Sequence, residues 1–137
     1  SPSAQLSRMA STERLRRYVT DECGSCTDED LSERLAELEE LNSATGESEL
    51  ETDVTLLSAL ANETRYTIVR LLHTADDELC VCEISPLLDV SDSAISHALS
   101  QLTDAGLVTR RKDGKWRKYE ATARATALLV ALDGSRR

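Results

Sequence analysis

Leucines at positions 31, 35, 38 and 41 recur among carboxylates at helical spacing, which predicts an amphipathic helix from Asp28 to Leu41. The polar run SATGESE then interrupts the pattern. From Asp53 onward Val54, Leu57, Leu60 and Ala61 form a second short face, and after Asn62, a residue suited to capping, Ile68, Leu71 and Leu72 form a third. Pro86 fits the first turn of a further short helix through Leu88, because its missing N–H is harmless there, and a turn follows at Asp89-Val90. The clearest element is SDSAISHALSQLTDAG, with a capping Ser91, an apolar face of Ile95, Ala98, Leu99 and Leu102, and Gly106 at the stop. Next, LVTRRKDGKWRKYEAT holds two β-favouring runs around Asp113-Gly114 and predicts a hairpin. An alanine- and leucine-rich helix over residues 122–132 closes the pattern, of the kind that buries its apolar face on another helix, often in a second subunit.

At 137 residues, one domain with an extension is expected. Residues 1–8, which precede the chain's only methionine, Met9, are read as an expression remnant or an upstream extension and set aside. Residues 9–52 form an acidic N-terminal extension, and residues 53–137 the domain. No run approaches the ~20 consecutive apolar residues of a membrane span, so a cytoplasmic protein without a membrane partner is expected. Cysteines in that reducing compartment are metal ligands, redox centres or plain core rather than a disulfide framework.

Charge divides the chain sharply. Residues 1–53 carry fourteen Asp and Glu against five Arg, a balance of −9, whereas residues 54–137 carry eleven against eleven. Net acidity argues against nucleic-acid binding, so any DNA reading must rest on a local patch. Residues 110–118, RRKDGKWRK, supply one, with Arg110, Arg111, Lys112, Lys115 and Arg117 available to phosphates. The predicted helix before it presents Ser93, Ser96, His97, Ser100 and Gln101, short polar groups able to bond base edges, and Ser91 at its start is counted with them. A merely solvated helix and hairpin is the plainer alternative. Trp116 suits packing of the hairpin stem better than base stacking, and His73 reads as a surface histidine.

The element order is helix, helix, short helix, turn, polar-faced helix, basic hairpin, helix. It predicts a mainly α protein with a small β-hairpin wing, a winged helix-turn-helix. Within that order LSALANETRYTIVRLL, ELCVCE, SDSAISHALSQLTDAGLV and GKWRKYEAT resemble the ArsR/SmtB family of metal-responsive repressors over residues 53–132. That resemblance implies a homodimer that holds double-stranded operator DNA when empty and leaves it when a thiophilic metal or metalloid binds. It implies that Cys80 and Cys82 of the CVC stretch are ligands and that His97 lies on the operator face. Ala98 stands where the pattern often has another large polar residue, a departure that bears on base preference.

Positions two apart on an α-helix point about 200° away from each other, so chelation by Cys80 and Cys82 must distort or precede that turn. A helix N-terminus lowers thiol pKa, and that is the expectation here. Trigonal arsenite takes three sulfurs and tetrahedral cadmium or zinc four, so further ligands are required. Cys23 and Cys26, in CGSC, form the other pair. Arsenic-responsive members of the family can have a third cysteine three residues after the second. Ser85 occupies that place here, which favours the layout of cadmium- and lead-responsive members, in which N-terminal cysteines join the CVC pair. Arsenite or antimonite using three of the four thiols, and cadmium, lead or zinc using all four, both stay open. A carboxylate and histidine zinc site on the last helix lacks ligands apart from Asp133.

Three alternatives compete. A thiol-redox repressor would form disulfides under oxidation without metal. A thiol–disulfide oxidoreductase would use CGSC, yet no βαβ pattern surrounds it. A structural-zinc DNA-binding module would unfold on chelation. No Ser-His-Asp set or Gly-rich phosphate loop points to an enzyme.

Overall fold

The computed structural model describes residues 2–46 and 49–136, in two compact units, Ser1–Ser48 and Glu49–Arg137. In the first, α1 (Pro2–Cys23) and α2 (Asp28–Ala44) are joined by a turn in which Gly24 takes φ +82°. Thr27 caps α2 reciprocally with Asp30: its hydroxyl oxygen accepts from the Asp30 N–H at 3.1 Å, and its own N–H donates to the Asp30 carboxylate at 3.2 Å. Arg16 of α1 donates to Asp28 at the start of α2 across 2.9 Å. The predicted leucine stripe of α2 grades from buried Leu31 through half-buried Leu35 and Leu38 to exposed Leu41. The pattern predicts no element before Asp28, and α1 shows why: it buries no residue fully, and no apolar face marks it.

The second unit begins with α3 (Leu50–Leu60) and α4 (Glu63–Ala75), meeting at Asn62, whose side chain accepts from the Arg65 N–H at 3.1 Å and caps α4. A two-residue strand β1 (Leu79–Cys80), a single turn α5 (Val81–Ile84) and a 3-10 turn (Ser85–Leu87) lead to α6 (Asp92–Asp104). The hairpin strands β2 (Val108–Asp113) and β3 (Trp116–Ala121) follow, and α7 (Ala123–Gly134) ends the unit. Pro86 sits in the first turn of the 3-10 segment as expected, but the predicted helix through Leu88 stops early, with Leu88 extended.

α6 is delimited by chemistry legible in its sequence. The Ser91 hydroxyl accepts from the Ala94 N–H at 3.1 Å. At the other end Gly106, at φ +80°, donates to the Thr103 carbonyl and Leu107 to that of Leu102, a paired C-terminal closure that needs a left-handed residue. Ile95, Ala98, Leu99 and Leu102 are buried and join Ile68, Val69 and Leu72 of α4 and Leu129 of α7 in one core. Arg70 of α4 grips Asp133 of α7 with both guanidinium nitrogens, at 2.6 and 2.9 Å, and holds that carboxyl below its ordinary pKa range.

The three strands order β1-β3-β2, antiparallel throughout. Asp113 pairs with Trp116, so the hairpin loop is Gly114-Lys115 rather than the expected Asp113-Gly114. Only the first loop position, Gly114 at φ +64°, needs positive φ, which suits a turn that takes glycine there. β1 is an addition: a two-residue strand leaves no period to read, and its pairing of Leu79 with Tyr119 and Cys80 with Lys118 is long-range.

Candidate DNA-contact surface and thiol site

The face of α6 opposite the core is polar apart from exposed Ala94. Ser91, Ser93, Ser96, His97, Ser100 and Gln101 are all exposed. Two of them already have an internal partner: the Ser91 oxygen is the helix cap, and the Gln101 side-chain carbonyl accepts from Arg65 at 2.9 Å. Arg65 also donates to the carbonyls of Ala59 and Ser58 at 2.6 and 3.3 Å, tying the end of α3 to α6. Sequence alone gives no signal for that bridge.

On the wing, strand alternation sorts the cations. Arg111, opposite Lys118, shares its face with Asp113 and with Glu78 just before β1. Glu78 receives Arg111 through a two-pronged fork, Nε to Oε2 at 2.8 Å and Nη2 to Oε1 at 2.9 Å, which keeps the Glu78 carboxyl below its ordinary pKa range. Lys118 pairs with Asp113 at 3.0 Å. Arg110, Lys112 and Arg117 lie on the other face, exposed, and none of them makes an ion pair among the described residues. Lys112 stands directly opposite Arg117. Like charges at facing positions destabilise a sheet, so an uncompensated pair is expected where an external anion neutralises it. Lys115 at the tip lies over the Trp116 ring, 5.0 Å from its centre, and Trp116 is half exposed.

The CVC stretch bridges strand and helix. Cys80 ends β1 in extended conformation, is buried, and is the N-cap of α5, whereas Cys82 lies inside α5 and is exposed. Cys80 thus precedes the helical turn, and the opposed geometry of two helical positions does not apply. Its sulfur accepts from the Cys82 N–H at 3.4 Å, while Glu83 accepts from the Cys80 N–H at 2.9 Å. The expectation of a lowered thiol pKa is overturned at Cys82. A hydrogen bond shared with the Cys80 thiol, then burial, then the nearby Cys80 and Glu83 charges, raise it, and a one-turn helix has little dipole to oppose them. Just beyond α5, Ser85, in the place of the family's third cysteine, hydrogen-bonds Asp92 in the first turn of α6.

Cys23 ends α1 exposed, and Cys26 is half buried in the following turn, its sulfur 3.5 Å from the Thr27 carbonyl. The two cysteine pairs belong to different units. Among the described residues no group of three or more His, Cys, Asp or Glu side chains is gathered as a metal site. Cys80 and Cys82 supply two soft donors, which fits part of a thiophilic site and leaves one or two positions to other thiolates. Asp133, the one carboxylate considered for zinc on the last helix, is occupied by Arg70.

A polar-faced helix set by a tight turn beside a basic two-stranded wing defines a winged helix-turn-helix DNA-binding regulator. Residues 62–110 match the family model described as "Bacterial regulatory protein, arsR family". A Halobacterium salinarum protein, provisionally named arsenical resistance operon repressor ArsR, is 73% identical over 129 residues, covering 94% of this chain and all of the relative. The chain belongs to the ArsR family, and is therefore a regulator rather than an enzyme. Among solved structures, HlyU from Vibrio cholerae N16961 matches with TM-score 0.59 and 35% identity over 66% of this chain and 97% of that one. The homodimeric winged helix-turn-helix DNA-binding domain Mb0332 from Mycobacterium bovis matches with TM-score 0.55 and 29% identity, over 64% of this chain and 79% of that one. No helix among the described residues is long and apolar enough to cross a membrane.

Proposed function

We propose that this ArsR-family protein is a repressor that binds operator DNA as a homodimer and is released when a thiophilic metal or metalloid binds Cys80 and Cys82, with Cys23 and Cys26 completing the site. The observation that carries the reading is the position of the thiol pair: Cys80 caps the one-turn helix that leads into α6 and is paired across the sheet with wing residue Lys118. An ion drawing these sulfurs together acts where both DNA-facing elements are anchored. The name of the 73% identical relative favours arsenite as inducer, and three of four thiols suffice for it. Four-sulfur binding of cadmium, lead or zinc has the same donors available.

Homodimerisation is supported by the exposed apolar residues of α3 and α7. Leu50, Val54 and Leu57 lie on one stripe of α3, and Val130 and Leu132 project from α7, all outside the core of this unit. The homodimeric Mb0332 domain supports the same assembly. DNA contact is assigned to the polar face of α6 and to Arg110, Lys112, Lys115 and Arg117, with Arg111 shared between phosphate and Glu78. The raised Cys82 pKa counts against redox sensing, which favours a thiolate-rich cysteine.

Cys80→Ser and Cys82→Ser test the site directly. Each variant should hold operator DNA within about twofold of the parent protein and lose release by arsenite and cadmium, measured by fluorescence anisotropy of labelled DNA. Ordinary release in both variants would remove the thiol pair from the mechanism.

A further inference from the structure

Glu78 is neither a proposed ion ligand nor a proposed DNA contact, yet it touches wing residue Arg111 and lies close in the chain to Cys80. It lies two residues before Cys80, just ahead of β1, and its carboxylate holds Arg111 of the wing in a two-pronged fork at 2.8 and 2.9 Å. Across the same sheet Cys80 pairs with Lys118, the residue directly opposite Arg111 on the neighbouring strand. Strand β1 has only two residues. A strand so short adds few ladder hydrogen bonds, and the fork is the ion pair that fastens its entry to the wing.

From this geometry we infer that Glu78 is a positioning residue that couples thiol occupancy to the wing. The inference rests on the sensor reading above and names the path by which that site is regulated. When Cys80 is drawn toward an ion, β1 moves with it. The fork transmits the movement to Arg111 and the ladder transmits it to Lys118, so the wing cations leave the positions that suit phosphate. Without the fork the two-residue ladder alone links β1 to the wing, and less of the movement reaches Arg111.

Two readouts follow from Glu78→Gln, which keeps the side chain's shape and removes its charge. The first is the ratio of operator Kd with saturating arsenite to that without. Allosteric couplings commonly run from about 5- to 150-fold, and the ratio should fall at least fivefold in the variant, while arsenite stoichiometry and sulfur-to-arsenic absorption stay as in the parent. The second needs no metal. Because the fork holds β1 on the wing, Cys80, 6% exposed, should be alkylated by iodoacetamide at least fivefold faster in the variant, while exposed Cys82 is unchanged, by mass spectrometry. The exchanged pair Glu78→Arg with Arg111→Glu should restore slow Cys80 alkylation, which a loss of general stability would not.

An unchanged Cys80 alkylation rate in Glu78→Gln would overturn the tether whatever arsenite does. An unchanged release ratio with normal arsenite binding would overturn its part in coupling. A parent protein that arsenite and cadmium both fail to release would overturn the sensor reading instead, and alkylation would still decide the tether.

Discussion

Proton chemistry at Cys82 separates the candidate inducers. The pKa of this thiol is raised, first by its hydrogen bond with Cys80, so near neutral pH it is protonated and a divalent cation must displace that proton. Raising the pH toward the thiol pKa reduces this cost. Cadmium affinity should therefore climb between pH 6 and 8, approaching tenfold per pH unit for each proton released, in titrations followed by sulfur-to-metal absorption. Arsenous acid gives up its hydroxyls as water on taking up thiols, so no net proton is released and its affinity should stay nearly flat. A flat cadmium profile would contradict the protonated resting state. On the wing, Lys112→Ala or Arg117→Ala should weaken binding to all DNA sequences alike and lower the salt slope by about 1. Each should also relieve the facing like charges and raise fold stability by a few tenths of a kcal/mol. A change confined to base preference would reassign these residues to direct reading of bases.

Among the elements, α6 was almost wholly legible: its cap, apolar face, polar face and glycine stop are local chemistry, and all lie where the spacing puts them. The wing was legible as a hairpin, with its loop one residue later, because Asp113 belongs to the ladder. What escaped is long-range or unpatterned. β1 has two residues and a partner nearly forty positions away; the Glu78–Arg111 and Arg65–Gln101 bridges join residues whose spacing carries no periodic signal. α1 escaped because it has no buried face to mark it. Truncating Leu99, fully buried in α6, to alanine should cost about 2–5 kcal/mol in urea unfolding, whereas Ser91→Ala should cost about 1 kcal/mol through its lost cap. A Leu99 variant as stable as the parent would mean that α6 is not anchored by this core.

For the molecule as a whole, acidity and DNA binding are compatible because charge is segregated. The first 53 residues carry the net −9, and the remainder is neutral with its wing cations clustered. The exposed stripe of α3 belongs to the proposed dimer, and Val54→Glu, placed on it, should yield monomers in analytical ultracentrifugation and lose tight operator binding while retaining the fold. A dimer unaffected by that charge would move the interface elsewhere. In the proposed mechanism one event at the thiols releases DNA. The measurement that reaches it most directly is titration of the reduced, metal-free protein on labelled operator DNA with arsenite, following sulfur-to-arsenic absorption and anisotropy in the same cuvette. Saturation at a fixed ratio of arsenite to subunit, with DNA leaving in step, is the predicted result. Absorption that saturates while DNA stays bound, or release only on oxidation with no arsenite taken up, would contradict it.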